Sequence, residues 1–398
     1  MAMPTDMGKP TLQGCPTIIN AAGPLTRLSG SPLAPGVLEA MAKADTVSAD
    51  MFEVQAHASR AIAAATGAEA GIVTSGASGG LLLSAAACLA KFDVARMNAL
   101  PEPGERSEVV VARGQRNGYD HALRAAGARL VEIGLPEALA GAGIRDAEPW
   151  EFQSAIGPRT AAILYVQSER ARPALPAVAE IARRHGLPLI VDAAAELPPA
   201  ANLRRFIAEG ADLVVYSGGK VLGGPAGTGI LCGSRDLVAS AAMQMLDMDV
   251  EWSAWNPPAG FIDKAKLAGL PRQGIGRCCK VGKNEIFGLL AALEHFLAEG
   301  DAARHGRWLS ICRQIEGGFA PASGCAVSIE GAQKTDAIPV LVLACADAEQ
   351  ATLRRAILAA QDEPVHTAID PFRPHCLIVN PVCLRAGEVP RLIAALSA

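Results

Sequence analysis

The sequence predicts an α/β protein, with a large domain on a mostly parallel sheet and a smaller α+β domain after it. Three observations carry this prediction. Between about residues 70 and 233, short apolar runs alternate with amphipathic ones. The apolar runs are continuous Val, Ile, Leu and Ala, as strands covered on both faces are. Beyond residue 300 the rhythm changes to short strands spaced among helices.

The elements follow in order. Residues 1–14 are polar and read as an arm. CPTIINAAG (15–23) is a short strand running into a Gly-Pro turn. SPLAPGVLEAMAKAD (31–45) has the serine and proline of a helix start, and FEVQAHASRAIAAATGA (52–68) continues as a second helix closed by Gly67. Strands are then expected at 70–76, 108–113, 128–134, 160–166, 187–192 and 212–217, with one more, antiparallel, at 227–233. Helices at 77–92, 118–127 and 174–186 separate some of them. Residues 247–275 are rich in Pro, Trp and Gly and read as an irregular excursion or linker. A long helix (280–300) connects to strands near 325–330, 338–344, 364–369 and 375–379 and a last helix at 387–397. The expected division is therefore an arm (1–14), a large domain (15–279), and a connecting helix with the small domain (280–398).

The chain has 398 residues, enough for a substantial core and two domains. Lys plus Arg (36) nearly balances Asp plus Glu (40), for a net charge of −4. A large nucleic-acid footprint needs a basic face, so no nucleic-acid partner is expected. The ten cysteines show no zinc spacing, so no metal is expected. No apolar run reaches the ~18–20 residues of a membrane span, and no secretory signal is visible. The expected compartment is the cytoplasm.

Ligands of open α/β sheets bind beyond the carboxyl ends of the strands, and three such ends carry unusual residues. Ser75-Gly76-Ala77-Ser78 closes a strand and opens a helix, where backbone N–H groups attract a phosphate. The same residues also suit an ordinary tight turn. Asp192 ends LPLIVD and precedes Ala193-Ala194-Ala195. It suits a helix N-cap and equally a partner for a protonated ring nitrogen. Lys220 follows Ser217-Gly218-Gly219 in LVVYSGGKVLGGPAG, with no acidic neighbour in sequence. A desolvated lysine has a lowered pKa and becomes a nucleophile. Asp192 and Lys220 lie 28 residues apart, one αβ unit, which puts them at neighbouring strand ends. A phosphate cup, a carboxylate and a lysine in this order are the parts that pyridoxal phosphate needs.

The carrying segments are IINAAGPLTRLSGS (18–31), GAEAGIVTSGASGGL (67–81), RNGYDHALRAAGARLVEIG (116–134), LPLIVDAAAELPP (187–199), DLVVYSGGKVLGGPAGTGILCG (212–233) and GIGRCCKVGKNEIFGLLAALE (274–294). Through them the chain resembles the fold-type I pyridoxal-phosphate enzymes. Within these it is most similar to the group of L-seryl-tRNA(Sec) selenium transferase and D-glucosaminate-6-phosphate ammonia-lyase. The resemblance implies an aspartate aminotransferase-like large domain and a homodimer. It implies Lys220 as the Schiff-base lysine and Asp192 as the ring-nitrogen partner. Ser75, Gly76, Ala77, Ser78 and Ser217 would hold the phosphate, with Ala194 against the ring. Gln115 stands where a stacking residue is expected, with Tyr119 or His121 as substitutes. Gln167 and Ser168 are candidates for the cofactor's 3-oxygen.

Substrate candidates are Asn20, Thr26 and Arg27 in an N-terminal loop, and Arg373 among the arginines Arg272, Arg277 and Arg385 that suit carboxylate clamps. Glu53, Gln55 and His57 face a pocket or form the polar side of a helix. The expected reaction is α,β-elimination from a 2-amino-3-hydroxy acid or amino sugar acid, releasing ammonia and a 2-keto acid. Racemisation and aldol cleavage share its early steps. The extra tRNA-engaging domain of the selenium transferase is not expected here, which argues against tRNA as substrate. A remote alternative is an α/β-hydrolase, because Gly76-Ala77-Ser78-Gly79-Gly80 fits G-x-S-x-G and places Ser78 as nucleophile, with Asp192 and His366 or His375 following in order.

Overall fold

A computed structural model describes residues 15–137, 146–319 and 325–397. It divides into two compact units, Ser29–Asp301 and a smaller one joining the chain's start to Ala302–Ala398. These limits differ from the expected division at 279/280. Strand β1 (Ile19–Ala21) pairs in parallel with a C-terminal strand, Val365–Ile369, so the chain start belongs to the small unit.

In the large unit, helix α1 (Val37–Asp45) begins after Gly36, whose φ of 81° favours glycine. Helix α2 (Met51–Thr66) is capped by Asp50, which accepts the Phe52 amide at 2.7 Å, and ends on a left-handed Gly67. There follow β2 (Ala70–Ser75), α3 (Gly76–Ala90), α4 (Val94–Ala99), β3 (Glu108–Ala112), α5 (Asp120–Ala125) and β4 (Arg129–Ile133). Next come α6 (Pro149–Ala155), β5 (Thr160–Val166), α7 (Leu175–Arg184), β6 (Leu189–Asp192), α8 (Asn202–Ala208), β7 (Leu213–Ser217), β8 (Thr228–Gly233) and α9 (Arg235–Met245).

The seven strands lie in the order β2-β8-β7-β6-β5-β3-β4. All are parallel to one another except β8, which runs antiparallel to both neighbours as expected. Six strands therefore end at one edge of the sheet. Strands β3, β5, β6 and β7 are buried almost throughout, which explains their unbroken apolar runs. Alanine-rich α3 lies on one face. Gly80 allows its close approach, since a Cβ there would come 2.9 Å from a methyl of Val215.

Strand β2 is the edge of this sheet, and α2 covers it. The Gln55 amide pairs with both backbone groups of Val73, accepting its N–H at 3.0 Å and donating to its carbonyl at 2.9 Å. One turn on, Ser59 accepts the Gly71 amide at 3.1 Å. Gln55 thus stands in for a missing neighbour strand, which settles its role as structural. Glu53 and His57 are exposed.

Residues 247–275 are largely irregular, as expected, but they are not a linker. Met248, Trp255, Phe261, Ile262 and Leu267 are buried in the same core as α3 and α9. Helix α10 (Lys283–Glu299) buries Ile286, Leu289, Leu293 and Phe296 in the large unit's second core. It is therefore part of that unit and not of the small domain.

The small unit holds most of α11 (Asp301–Gly318), then β9 (Ala326–Glu330), β10 (Val340–Ala344), α12 (Ala348–Ala359), β11 (Val365–Ile369), β12 (Cys376–Val379) and α13 (Val389–Ser397). Its five-stranded sheet has the order β1-β11-β12-β10-β9. Leu341, Leu343, Leu377 and Leu392 centre its own core. Among the described residues no helix is long and apolar enough to cross a membrane.

Candidate cofactor site

The carboxyl edge of the large sheet gathers the residues picked out from the sequence. Val166 and Asp192, which end β5 and β6, lie abreast of Val215, two residues before the end of β7. Neighbouring strands are about 4.8 Å apart, so the residues leaving these three ends share one small region. Ser217 faces Gly229 across β8, and Ser75 on the other side faces Thr228.

Asp192 is 7% exposed. One carboxylate oxygen accepts the Ala194 amide at 3.0 Å, and the other accepts no hydrogen bond from a described residue. Burial raises its pKa, with Asp120 adding to the rise, while the Ala194 amide and the Lys220 charge oppose it. The structure therefore holds a desolvated carboxylate with one oxygen uncommitted.

Lys220 stands on a rigid turn. The Gly218 amide donates to Thr228 at 2.8 Å, the Gly224 amide to Gly218 at 2.9 Å, and the Gly223 amide to Lys220 at 2.9 Å. Gly219 is required there, since a Cβ would lie 2.5 Å from the Ala226 Cα. The Lys220 ammonium makes no hydrogen bond or ion pair within the described residues. Burial lowers its pKa, and Asp192 and Glu196 pull it back up. Asp192 and Lys220 thus feel each other's charge without touching.

Helix α3 begins at Gly76, with a φ of 68°, directly after Ser75. No side chain caps it and no acidic residue stands in its first turn, so its leading N–H groups stay open to an anion. Gly229 lets this start lie close over β8, since a Cβ there would come 2.4 Å from the Gly76 carbonyl carbon. Ser78 lies within the first helical turn and not at the strand-to-helix bend that a hydrolase nucleophile occupies.

The uncommitted carboxylate oxygen, the unpaired lysine and the uncapped helix start fit pyridoxal phosphate. Other expected residues sit differently. Gln115 is fully engaged as a brace: its carbonyl oxygen accepts the Val166 amide at 3.0 Å and its nitrogen donates to the Arg172 carbonyl at 3.2 Å. Gln167 lies at the β5 end, bonded to the Ser168 carbonyl at 3.1 Å. Tyr119 is exposed, and His121 contacts Arg124.

In the small unit, Asn20 is buried and shapes the 20–28 loop by donating to Gly23 at 3.1 Å and Leu28 at 3.3 Å. Thr26 and Arg27 are exposed on that loop. The Arg373 guanidinium is held by Glu330 and Asp370, so it is not a free clamp. Arg385 pairs with Glu388, and in the large unit Arg277 pairs with Asp247.

Two neighbours of the site escaped the sequence reading. Glu196 lies close enough for its charge to act on both Asp192 and Lys220, and burial, then Asp192, raises its pKa. The signal was an acidic residue four places after a strand-end aspartate. Cys279 lies beside Ser75, both bordering the space a Cβ on Gly79 would enter, at 3.6 and 2.9 Å. Nothing in the sequence joins these two residues.

Comparison with known proteins accords with this geometry. The family model for L-seryl-tRNA selenium transferase matches residues 45–249. The 5'-C-glycyluridine monooxygenase-decarboxylase of a Streptomyces species is 33% identical over 73% of this chain and 66% of its own length. The D-glucosaminate-6-phosphate ammonia lyase of Salmonella typhimurium is 32% identical over 77% of this chain and 78% of its own length. The L-seryl-tRNA(Sec) selenium transferase of Solidesulfovibrio magneticus is 33% identical over 41% of this chain, which spans only 35% of that protein.

A solved structure of D-glucosaminate-6-phosphate ammonia-lyase superposes over 98% of both chains with a TM-score of 0.77 and 27% identity. Serine palmitoyltransferase of S. paucimobilis, at a TM-score of 0.51 and 15% identity, shares the fold. The chain belongs to the L-seryl-tRNA selenium transferase family of fold-type I pyridoxal-phosphate enzymes.

Proposed function

We propose that this protein is a pyridoxal-phosphate-dependent ammonia-lyase acting on a 2-amino-3-hydroxy acid or amino sugar acid. The observation that carries the reading is its likeness to D-glucosaminate-6-phosphate ammonia-lyase along nearly the whole chain. The cofactor supplies an aldehyde for the substrate amine and a ring that takes up electrons from Cα. Lys220 would hold that aldehyde through its Nζ until the substrate amine takes its place. Its freed Nζ then takes the Cα proton, helped by a pKa that burial has lowered. Asp192 would offer its open oxygen to the ring nitrogen and keep it protonated. The start of α3, with Ser75 and Ser217, would hold the phosphate, and Gln115 braces the β5 end. Loss of the β-hydroxyl as water, followed by hydrolysis, gives one ammonia and one 2-keto acid per substrate.

The match to a monooxygenase-decarboxylase favours a second reading, in which the bond from Cα to the carboxylate is broken and oxygen is consumed. The family resemblance extends the proposal to a cytoplasmic homodimer, to be seen as sedimentation at twice the 41.0 kDa chain mass. The deciding experiment incubates the holoprotein with a panel of 2-amino-3-hydroxy acids and amino sugar acids. It follows ammonia, keto acid, α-deuterium loss, oxygen and carbon dioxide. Equal ammonia and keto acid without oxygen uptake is the expected result. Deuterium loss without ammonia would identify a racemase, and oxygen uptake with carbon dioxide release the second reading.

A further inference from the structure

We infer that Cys325 and Cys345 form a redox dithiol, a modification site that a disulfide of the glutathione class converts to a cross-link between β9 and β10. The register places them. The antiparallel pairing of these strands runs from Val340 facing Glu330 to Ala344 facing Ala326, so the next facing pair is Cys345 and Cys325. Their sulfurs are 3.0 Å apart.

The backbone favours the bond as well. The Cys345 amide donates to the His375 carbonyl at 3.0 Å, on the β12 side of β10 and away from β9. The cysteine pair is therefore of the non-hydrogen-bonded kind, in which facing side chains approach most closely. The Cα separation of directly opposed residues, about 4.5–5.5 Å, lies inside the range that disulfides use. Closing to the ~2.05 Å of a bond needs a movement of about 1 Å. The adjacent thiols of Cys278 and Cys279 are farther apart, at 3.8 Å.

Exposure sets the order of events. Cys325 is half-buried and Cys345 buried. Burial, then the neighbouring Cys325, pushes the Cys345 thiol up to about 12, while Arg354 and Arg355 pull the other way. Cys325 is thus the attacking thiol. Its thiolate displaces one thiolate from the external disulfide. That leaving group takes the Cys345 proton, and Cys345 sulfur then attacks Cys325 sulfur and expels the second thiolate. Two protein thiols are oxidised and one external disulfide is reduced to two thiols. Among the described residues β9 is the edge of its sheet and pairs with β10 alone, so the bond fixes an edge strand to that neighbour.

The test treats the reduced full-length protein with oxidised glutathione and then alkylates it under denaturing conditions. The expected product has two alkylatable thiols fewer than the ten of the sequence. Before alkylation the cross-linked chain is two hydrogens lighter, and a peptide pair joins Cys325 to Cys345. Cys345→Ser should accumulate one glutathione on Cys325, and Cys325→Ser should form no cross-link. If a variant does not fold, peptide mapping of the wild type decides alone. Retention of all thiols, or a bond mapped to Cys278 and Cys279 in place of this pair, would overturn the inference.

Discussion

Replacing Asp192 by asparagine should stabilise the cofactor-free protein while weakening its hold on the cofactor. In the structure the carboxylate is 7% exposed and makes one hydrogen bond, from the Ala194 amide. Burial is the largest cause of its raised pKa. Burying a charged carboxylate costs more than burying the neutral amide that replaces it. Asparagine removes the buried charge and keeps the Ala194 bond, at a loss of about 1 kcal/mol because the acceptor is no longer charged. The expected net gain is about 1 kcal/mol, or roughly 1–2 °C in unfolding midpoint for a chain of 398 residues.

The effect on cofactor runs the other way. A carboxylate about 4 Å from a charged ring nitrogen gains up to about 4 kcal/mol at an effective dielectric of ~20. Losing 2–4 kcal/mol of it weakens binding roughly 30- to 700-fold. Calorimetry of the apoprotein and titration of its visible absorbance with pyridoxal phosphate read the two effects. The stability gap should also depend on pH. The folded pKa lies above the unfolded value of 3.8, so the wild type carries its full burial penalty above the folded pKa. That penalty shrinks as pH falls between the two values and vanishes below the lower one. A variant that is less stable as apoprotein and binds cofactor normally would contradict this account.

Three further substitutions test how the site is positioned. Gly229→Ala puts a Cβ 2.4 Å from the Gly76 carbonyl carbon. It should cost about 1–3 kcal/mol and weaken inorganic phosphate and cofactor binding together, measured by calorimetric titration. Gln115→Leu removes the brace between β5 and the Arg172 carbonyl. It should destabilise by about 1–3 kcal/mol in urea unfolding, with a smaller effect on cofactor affinity than Asp192→Asn. Gln55→Leu leaves both Val73 backbone groups unpaired at the sheet edge. It should cost about 2–4 kcal/mol and speed exchange of the Val73 amide.

The strand ends that make the site were readable because a parallel sheet announces itself in unbroken apolar runs. Val110, Ile163, Val191 and Val214 are all fully buried, so no polar alternation blurred the boundaries. Asp192 and Lys220 were conspicuous for the same reason, as charges at the ends of such runs. Pairings across long stretches of sequence were not readable. Cys279 beside Ser75 and Gln55 against Val73 depend on tertiary packing that no local pattern records. The N-terminal strand is legible as a strand but not its place in the small unit, because its partner β11 lies over three hundred residues away. The 247–275 segment shows the limit of composition: its prolines and glycines predicted irregularity, while its buried Trp255, Phe261 and Ile262 tie it into the core.

The most direct measurement is chemical. Pyridoxal phosphate is added to the purified protein, and borohydride is used to fix any lysine-bound cofactor as a stable secondary amine. Proteolysis and mass spectrometry then locate the label. The arrangement of β6, β7 and the 218–224 turn predicts one labelled peptide, modified at Lys220, and no label or visible band in Lys220→Ala. A label on another lysine, or a Lys220→Ala protein that still carries covalent cofactor, would contradict the assignment on which the rest depends.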